Sequence, residues 1–222
     1  MLSGLKIAGW QKVSLIDYPG KVASVLFLAG CNMRCHYCQN QHILDTKQNQ
    51  IPVMQVLKGL GRRRAWIDAV VVSGGEPTVY AGLLELLRAL KQLHLQIKLD
   101  TNGTRPDVVQ KAIELGLVDY VALDVKAPPN KYKEITGMSA GEVFKTAQYL
   151  QHQNSVPYLF RTTLSPLLSQ NDLLEIAKVF VLDGTLWQIQ PCRCVGAYTT
   201  AEMLKIVKNL KIHYPNIVVR NM

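Results

Sequence analysis

Three of the five cysteines fall within eight residues, as Cys31, Cys35 and Cys38 in "AGCNMRCHYCQN" (residues 29–40). Such crowding suits a metal or cluster site better than a disulfide framework. Yet three is one ligand short of the four that close a structural zinc site or an electron-carrying iron–sulfur cluster. His36 or His42 could complete a Cys3His zinc site, and Cys192 or Cys194 could complete a [4Fe–4S] electron carrier. Left incomplete, a cluster keeps one iron open for a small molecule, as catalytic zinc keeps a position open for water. A final reading takes the i, i+4, i+7 spacing as an inert helical face. Gly30, Asn32 and the polar residues between the cysteines oppose it.

Other polar groups recur at intervals behind apolar runs: "SGGEP" (73–77), "DTNG" (100–103), "DVK" (124–126), Arg161, and Cys192–Arg193–Cys194. Gly74 and Gly75 admit close backbone approach, which a side chain would block. Cys192 and Cys194 also read as small buried hydrophobes.

The elements that must position these groups alternate. Strand-like runs are "KVASVLFLAGC", "DAVVVSGGEP", "QIKLDTNG", "DYVALDVKA", "PYLFRTTLSP" and "TLWQIQPC", with a short final "NIVVR". Between them lie helical stripes: Val53, Val56, Leu57 and Leu60; then Leu83, Leu86, Leu87 and Leu90. Pro106 and Gly116 bracket a third helix, and Ser169 or Asn171 can cap a later one. Six strand–helix units in succession predict an α/β fold with a parallel sheet, either doubly wound or a barrel. In both, ligands gather at the carboxyl ends of strands, which is where the polar groups fall.

The 222 residues are 48% hydrophobic, with no repeat or linker, and predict one domain over 1–222 that includes an N-terminal extension at 1–20. No signal-peptide pattern opens the chain, and "VASVLFLAGC" is about half the ~20 residues of a membrane helix. A reducing cytoplasm is the expected compartment. The net charge of +9 raises nucleic acid as a partner. Aromatics are only 7% and are not interleaved with basic runs such as "GRRRAW", which favours a solvated face or a surface for an acidic protein. Trp10, Trp66 and Trp187 read as packing anchors.

Cys-x3-Cys-x2-Cys after a first strand, with Tyr37 before the last cysteine and "SGGEP" after the second strand, resembles the radical S-adenosylmethionine superfamily. The resemblance covers essentially the whole chain and implies a partial (β/α)6 TIM-like barrel. It implies a [4Fe–4S] cluster on Cys31, Cys35 and Cys38, with S-adenosylmethionine on the fourth iron. Glu76 would support the cofactor's ammonium or fix its own loop.

"SLIDYPGKVASVLFLAGCNMRCHYCQN", "DTNG" and "DVK" resemble the glycyl-radical-enzyme activating proteins more narrowly. That likeness implies Tyr37, Gly74, Gly75, Glu76, Asn102, Asp124, Lys126 and Arg161 at the cofactor, with Arg161 on its carboxylate. It also implies a monovalent cation on Asp100, Thr101 and Asp124. The implied activity is reductive cleavage to a 5′-deoxyadenosyl radical and formation of a glycyl radical on a partner, with a flavodoxin- or ferredoxin-like reductant.

Arg193 stands where pyruvate formate-lyase activators carry a histidine. The opening "GWQKVSLIDYPGK" and the compact length resemble the anaerobic ribonucleoside-triphosphate reductase activating proteins instead. Radical chemistry on a nucleobase or small molecule, a non-catalytic electron carrier and a zinc-stabilised binding module are the alternatives.

Overall fold

The computed structural model describes residues 4–45, 50–181 and 184–220. Eight strands form one sheet in chain order: β1 (Ile7–Ser14), β2 (Ala23–Leu28), β3 (Ala69–Gly74), β4 (Gln96–Thr101), β5 (Tyr120–Asp124), β6 (Tyr158–Leu164), β7 (Trp187–Pro191) and β8 (Ile217–Val219). From β2 to β8 every pairing is parallel. The helices are α1 (Val53–Arg63), α2 (Leu83–Lys91), α3 (Pro106–Glu114), α4 (Pro129–Thr136), α5 (Gly141–His152), α6 (Gln170–Phe180) and α7 (Thr200–Lys211). Of the two architectures that six strand–helix units allow, this is the partial barrel that the family resemblance implies.

Two elements are additions. β1, inside the expected extension, pairs antiparallel with β2. Only its end residues, Ile7 and Ser14, are buried and those between are part- or fully exposed, so it lacks the apolar density that marks the parallel strands. α4 is only eight residues long, too short to display a helical period in sequence. Among the described residues no ladder joins β1 to β8, so the barrel is open along that side.

Most of the core lies between sheet and helices. Val70 and Val72 of β3 meet the α2 stripe, whose Leu83, Leu86, Leu87 and Leu90 are all fully buried. Full burial of each such side chain contributes roughly 1.5–3 kcal/mol. A second, smaller cluster (Tyr18, Ala23, Val25, Ala69 and Val71, with Phe27 and Tyr120 against it) faces the other way. It fills the floor of the barrel, and the Tyr18 and Tyr120 rings lie 5.8 Å apart.

Ser169, rather than Asn171, caps α6. Of the three tryptophans, Trp187 is buried as expected, but Trp66 is 74% exposed. It shares a surface groove with Trp10, Lys58, Arg62 and Arg63. Folding thus brings Trp10 to a basic run, Lys58 to Arg63, that is far from it in the linear order.

Candidate active site

Successive residues of a strand face opposite sides of the sheet, so Lys98 and Asp100 of β4 share the barrel's inner face, as do Arg161 and Thr163 of β6. Above the apolar floor these strand ends line a cavity of about 370 Å³, within the range of small-molecule sites. Cys31, Cys35, Cys38, Tyr37, Gly74, Gly75, Asp100, Asp124, Lys126 and Arg161 all line it. Glu76, Thr101 and Asn102 do not; they lie behind the wall and brace it.

The cysteines sit on a loop held from several directions. Arg34 donates to the carbonyls of Cys31 (2.6 Å) and Met33 (2.9 Å), and the Met33 N–H donates to Cys31 Sγ (3.3 Å). Tyr37 Oη donates to the Lys126 carbonyl (3.2 Å), anchoring the ring against β5's end. Cys31, Cys35 and Cys38 are the free thiols of the chain. Burial raises the Cys31 and Cys35 thiols, and the Lys126 ammonium acts against that rise.

Cys192 and Cys194 are bonded to each other. This departs from both expectations for them: Cys194 is part-exposed rather than core, and neither sulfur is free to complete an electron-carrying cluster. His36 and His42 are exposed and outside the cavity lining, which leaves the Cys3His zinc alternative without its histidine. Arg193 does line the cavity.

"SGGEP" does its work against the cysteine loop. Gly74 takes φ +128, and a Cβ there would lie 2.3 Å from the Leu28 backbone. A Cβ on Gly75 would lie 1.8 Å from the Gly30 carbonyl oxygen. The Gly75 and Glu76 N–H groups donate to the carbonyls of Leu28 and Gly30, both at 2.9 Å. The close backbone approach expected of these glycines is therefore seen toward the chain that leads into Cys31.

Glu76 is fully buried and accepts from Thr78 N (3.0 Å), Thr78 Oγ1, Thr101 Oγ1 (2.7 Å) and Asn102 N (2.6 Å). Of its two expected tasks, the geometry matches fixing the loop. Burial pushes its carboxyl upward, and these donors act in opposition. Asn102 stands just outside the lining: its amide donates to Asn32 Oδ1 (2.9 Å) and to Cys31 Sγ (3.8 Å), and its Oδ1 accepts from Thr104 Oγ1 (2.7 Å). It joins the end of β4 to the cysteine loop.

A chain of charges crosses the inner face, buried at Lys98, Asp100 and Arg161 and part-exposed at Asp124 and Lys126. Lys98 pairs with Asp100, whose other oxygen accepts from Arg161 (3.0 Å). Arg161 Nε donates to Asp124 (2.6 Å), and Lys126 closes the row on Asp124's second oxygen (3.3 Å). Burial alone would raise both aspartates. The cations beside them outweigh it and hold both carboxyls below the usual range. Burial lowers Lys98, with Asp100 opposing, whereas Asp124 and Asp100 outweigh burial to raise Arg161. Sequence reading missed Lys98, although a lysine two residues before Asp100 in an apolar strand was its signal. It also missed Arg220, just beyond β8, which binds Asp17 (2.7 Å) and the Ile16 carbonyl (2.6 Å) across the barrel's open side.

Among the described residues the cavity wall therefore offers three thiols, with no fourth cysteine and no imidazole. Among the described residues no three His, Cys, Asp or Glu side chains converge as a single metal ion demands. A [4Fe–4S] cluster takes one thiolate per iron and does not need its sulfurs to meet at one ion. The donor set fits a cluster with one open iron.

The family model for the radical SAM superfamily matches residues 25–180. A protein of Methanocaldococcus jannaschii, provisionally named a glycyl-radical enzyme activating enzyme, is 35% identical over 96% of this chain and 95% of its own. Pyruvate formate-lyase 1-activating enzyme of Escherichia coli is 30% identical over 75% of this chain and 70% of its own. Among solved structures, SuiB of Streptococcus suis bound to its precursor peptide SuiA superposes with a TM-score of 0.70 at 15% identity. That match covers 89% of this chain, which spans about half (48%) of SuiB.

Proposed function

Because the chain belongs to the radical SAM superfamily, we propose that it activates a glycyl-radical enzyme, with anaerobic ribonucleoside-triphosphate reductase as the partner. It is an enzyme whose cofactors are a [4Fe–4S] cluster and S-adenosylmethionine. When bound, they supply hydrogen-atom abstraction from a glycine Cα by a 5′-deoxyadenosyl radical. The chain supplies binding, orientation and shielding. The observation that carries this reading is three free thiols in a cavity wall that, among the described residues, has no fourth cysteine and no histidine.

In this reading Cys31, Cys35 and Cys38 hold three irons. Gly74 and Gly75 present backbone at the cavity wall, with Tyr37 opposite the barrel strands. Asp124 and Lys126 orient the methionine or ribose portion of the cofactor. Arg161 is fixed by two carboxylates and turns the remaining face of its fork to the cofactor carboxylate. Glu76 and Asn102 act at one remove, by holding the cysteine loop on β3 and β4.

The reductase branch is favoured by the opening "GWQKVSLIDYPGK" and by Arg193 in the place of the pyruvate formate-lyase activators' histidine. Ile16 and Asp17 line the cavity on the barrel's open side, where a partner's glycine loop can enter. Glycine suits that passage because its backbone carries no side chain into the site. A flavodoxin- or ferredoxin-like protein supplies the electron. An anaerobic cytoplasm is the compartment, and no helix among the described residues is long and apolar enough to cross a membrane.

The test is 5′-deoxyadenosine formation from S-adenosylmethionine by anaerobically reconstituted, chemically reduced protein, with Cys35→Ala as control. Product from the wild type and none from the variant is expected. A fully loaded cluster that yields no product would favour electron transfer, and failure to take up iron would favour zinc.

A further inference from the structure

The cation expected on Asp100, Thr101 and Asp124 is already supplied by the chain. Asp100 divides its two oxygens between Lys98 and Arg161. Asp124 divides its own between Arg161 and Lys126. The Thr101 hydroxyl donates to Glu76 (2.7 Å) and accepts from the Gly103 N–H (3.0 Å). Each oxygen that would ligate an external ion thus has a protein partner. Three cationic side chains face two carboxylates, leaving one net positive charge, so a further cation would add repulsion inside a poorly screened cavity.

We infer that the Lys98 ammonium is a built-in replacement for an external monovalent cation at this cofactor site. Lys98 fits the task by position. It lies two residues before Asp100 on the same face of β4, and its neighbours in the pairing are Val71 and Tyr120 of the barrel floor. The side chain is 2% exposed, and Asp100 is the hydrogen-bond partner of its ammonium. The floor blocks solvent from below while Asp100 holds the charge beneath the cavity. Unlike a soluble ion, this charge cannot dissociate. Lys98 is a positioning residue, acting through Asp100 and Arg161. The bearing on cofactor binding rests on the proposed function; the replacement of the ion does not.

The test uses the reconstituted full chain in potassium, sodium, ammonium or choline chloride at equal ionic strength, followed by thermal unfolding and by equilibrium dialysis of S-adenosylmethionine. Wild type should behave alike in all four salts. Lys98→Met strands a buried carboxylate, so its midpoint in choline should fall by on the order of 10 °C. Small cations, which can enter the vacated position, should recover much of that loss and restore dialysis binding.

The double variant Lys98→Met/Asp100→Asn removes the carboxylate that calls for the ion, and should fold with no salt preference. A wild type that needs potassium or sodium would overturn the inference. So would a Lys98→Met variant as stable as wild type, or one that no cation improves while the double variant also fails to fold. Cation-dependent unfolding without S-adenosylmethionine binding would keep the ammonium's role and count against the proposed function instead.

Discussion

Glu76 shows how little a motif says about where a side chain points. As a residue of "SGGEP" it could face a ligand's ammonium; folded, it is fully buried and takes four hydrogen bonds from Thr78, Thr101 and Asn102. Glu76→Gln replaces one acceptor with an amide donor facing a fixed N–H. It should lower the apo protein's stability by roughly 1–3 kcal/mol in urea unfolding. If apo stability is unchanged and only S-adenosylmethionine binding weakens, Glu76 serves the ligand directly. Lys98 carries the same lesson in reverse: a residue that looks like an interruption of an apolar strand becomes the foot of the charge network.

At the scale of elements, the site depends on strands ending level with one another and on loops that lock them. The Gly75–Gly30 contact locks β3 to the cysteine loop, and Asn102 locks β4 to it. Further round the barrel, α6 begins with a reciprocal cap. Ser169 Oγ accepts from Asp172 N (3.2 Å), while Asp172 accepts from Ser169 N (2.8 Å) and from Lys131 of α4 (2.9 Å). Burial would raise the Asp172 carboxyl, but Lys131 and Ser169 prevail and hold it below the usual range. The unfolded chain therefore binds that proton more readily. The stabilisation is present above about pH 4 and fades as pH falls through the depressed folded-state value. Asp172→Asn should cost about 1 kcal/mol at pH 7, and its gap from wild type should narrow at pH 3. An equal gap at both pH values in urea unfolding would show that the charge is immaterial.

For the whole molecule, the decisive feature is the open side between β1 and β8, crossed by the Asp17–Arg220 pair. The "IDYPG" segment has two faces there. Tyr18 plugs the barrel floor, whereas Leu15 and Ile16 are 73% and 60% exposed. Replacing the whole segment would therefore damage the fold along with the mouth, and a surface change separates the two. Leu15→Ser should leave stability within about 0.5 kcal/mol of wild type and uncoupled cofactor cleavage intact. Glycyl-radical yield on the proposed partner, the reductase subunit, read by electron paramagnetic resonance, should fall about tenfold if Leu15 anchors it. An undiminished yield would place the docking surface elsewhere.

The α/β alternation, the six strand–helix units, the crowding of three cysteines and the rim on which the polar groups gather were legible in the order of the residues. These follow from local spacing: period two or 3.6, Cys31–Cys35–Cys38, and Gly74–Gly75 after an apolar strand. Only the tertiary structure decided that β1 joins antiparallel and the barrel stays open. It also decided that Glu76 and Asn102 brace the wall, that Cys192 bonds Cys194, and that Lys98 reaches Asp100 beside Arg161. Apart from the Cys192–Cys194 bond, which joins residues two apart, each of those outcomes depends on which strand ends become neighbours and at what height. Inter-strand register sets that, and no local stretch of chain encodes it alone.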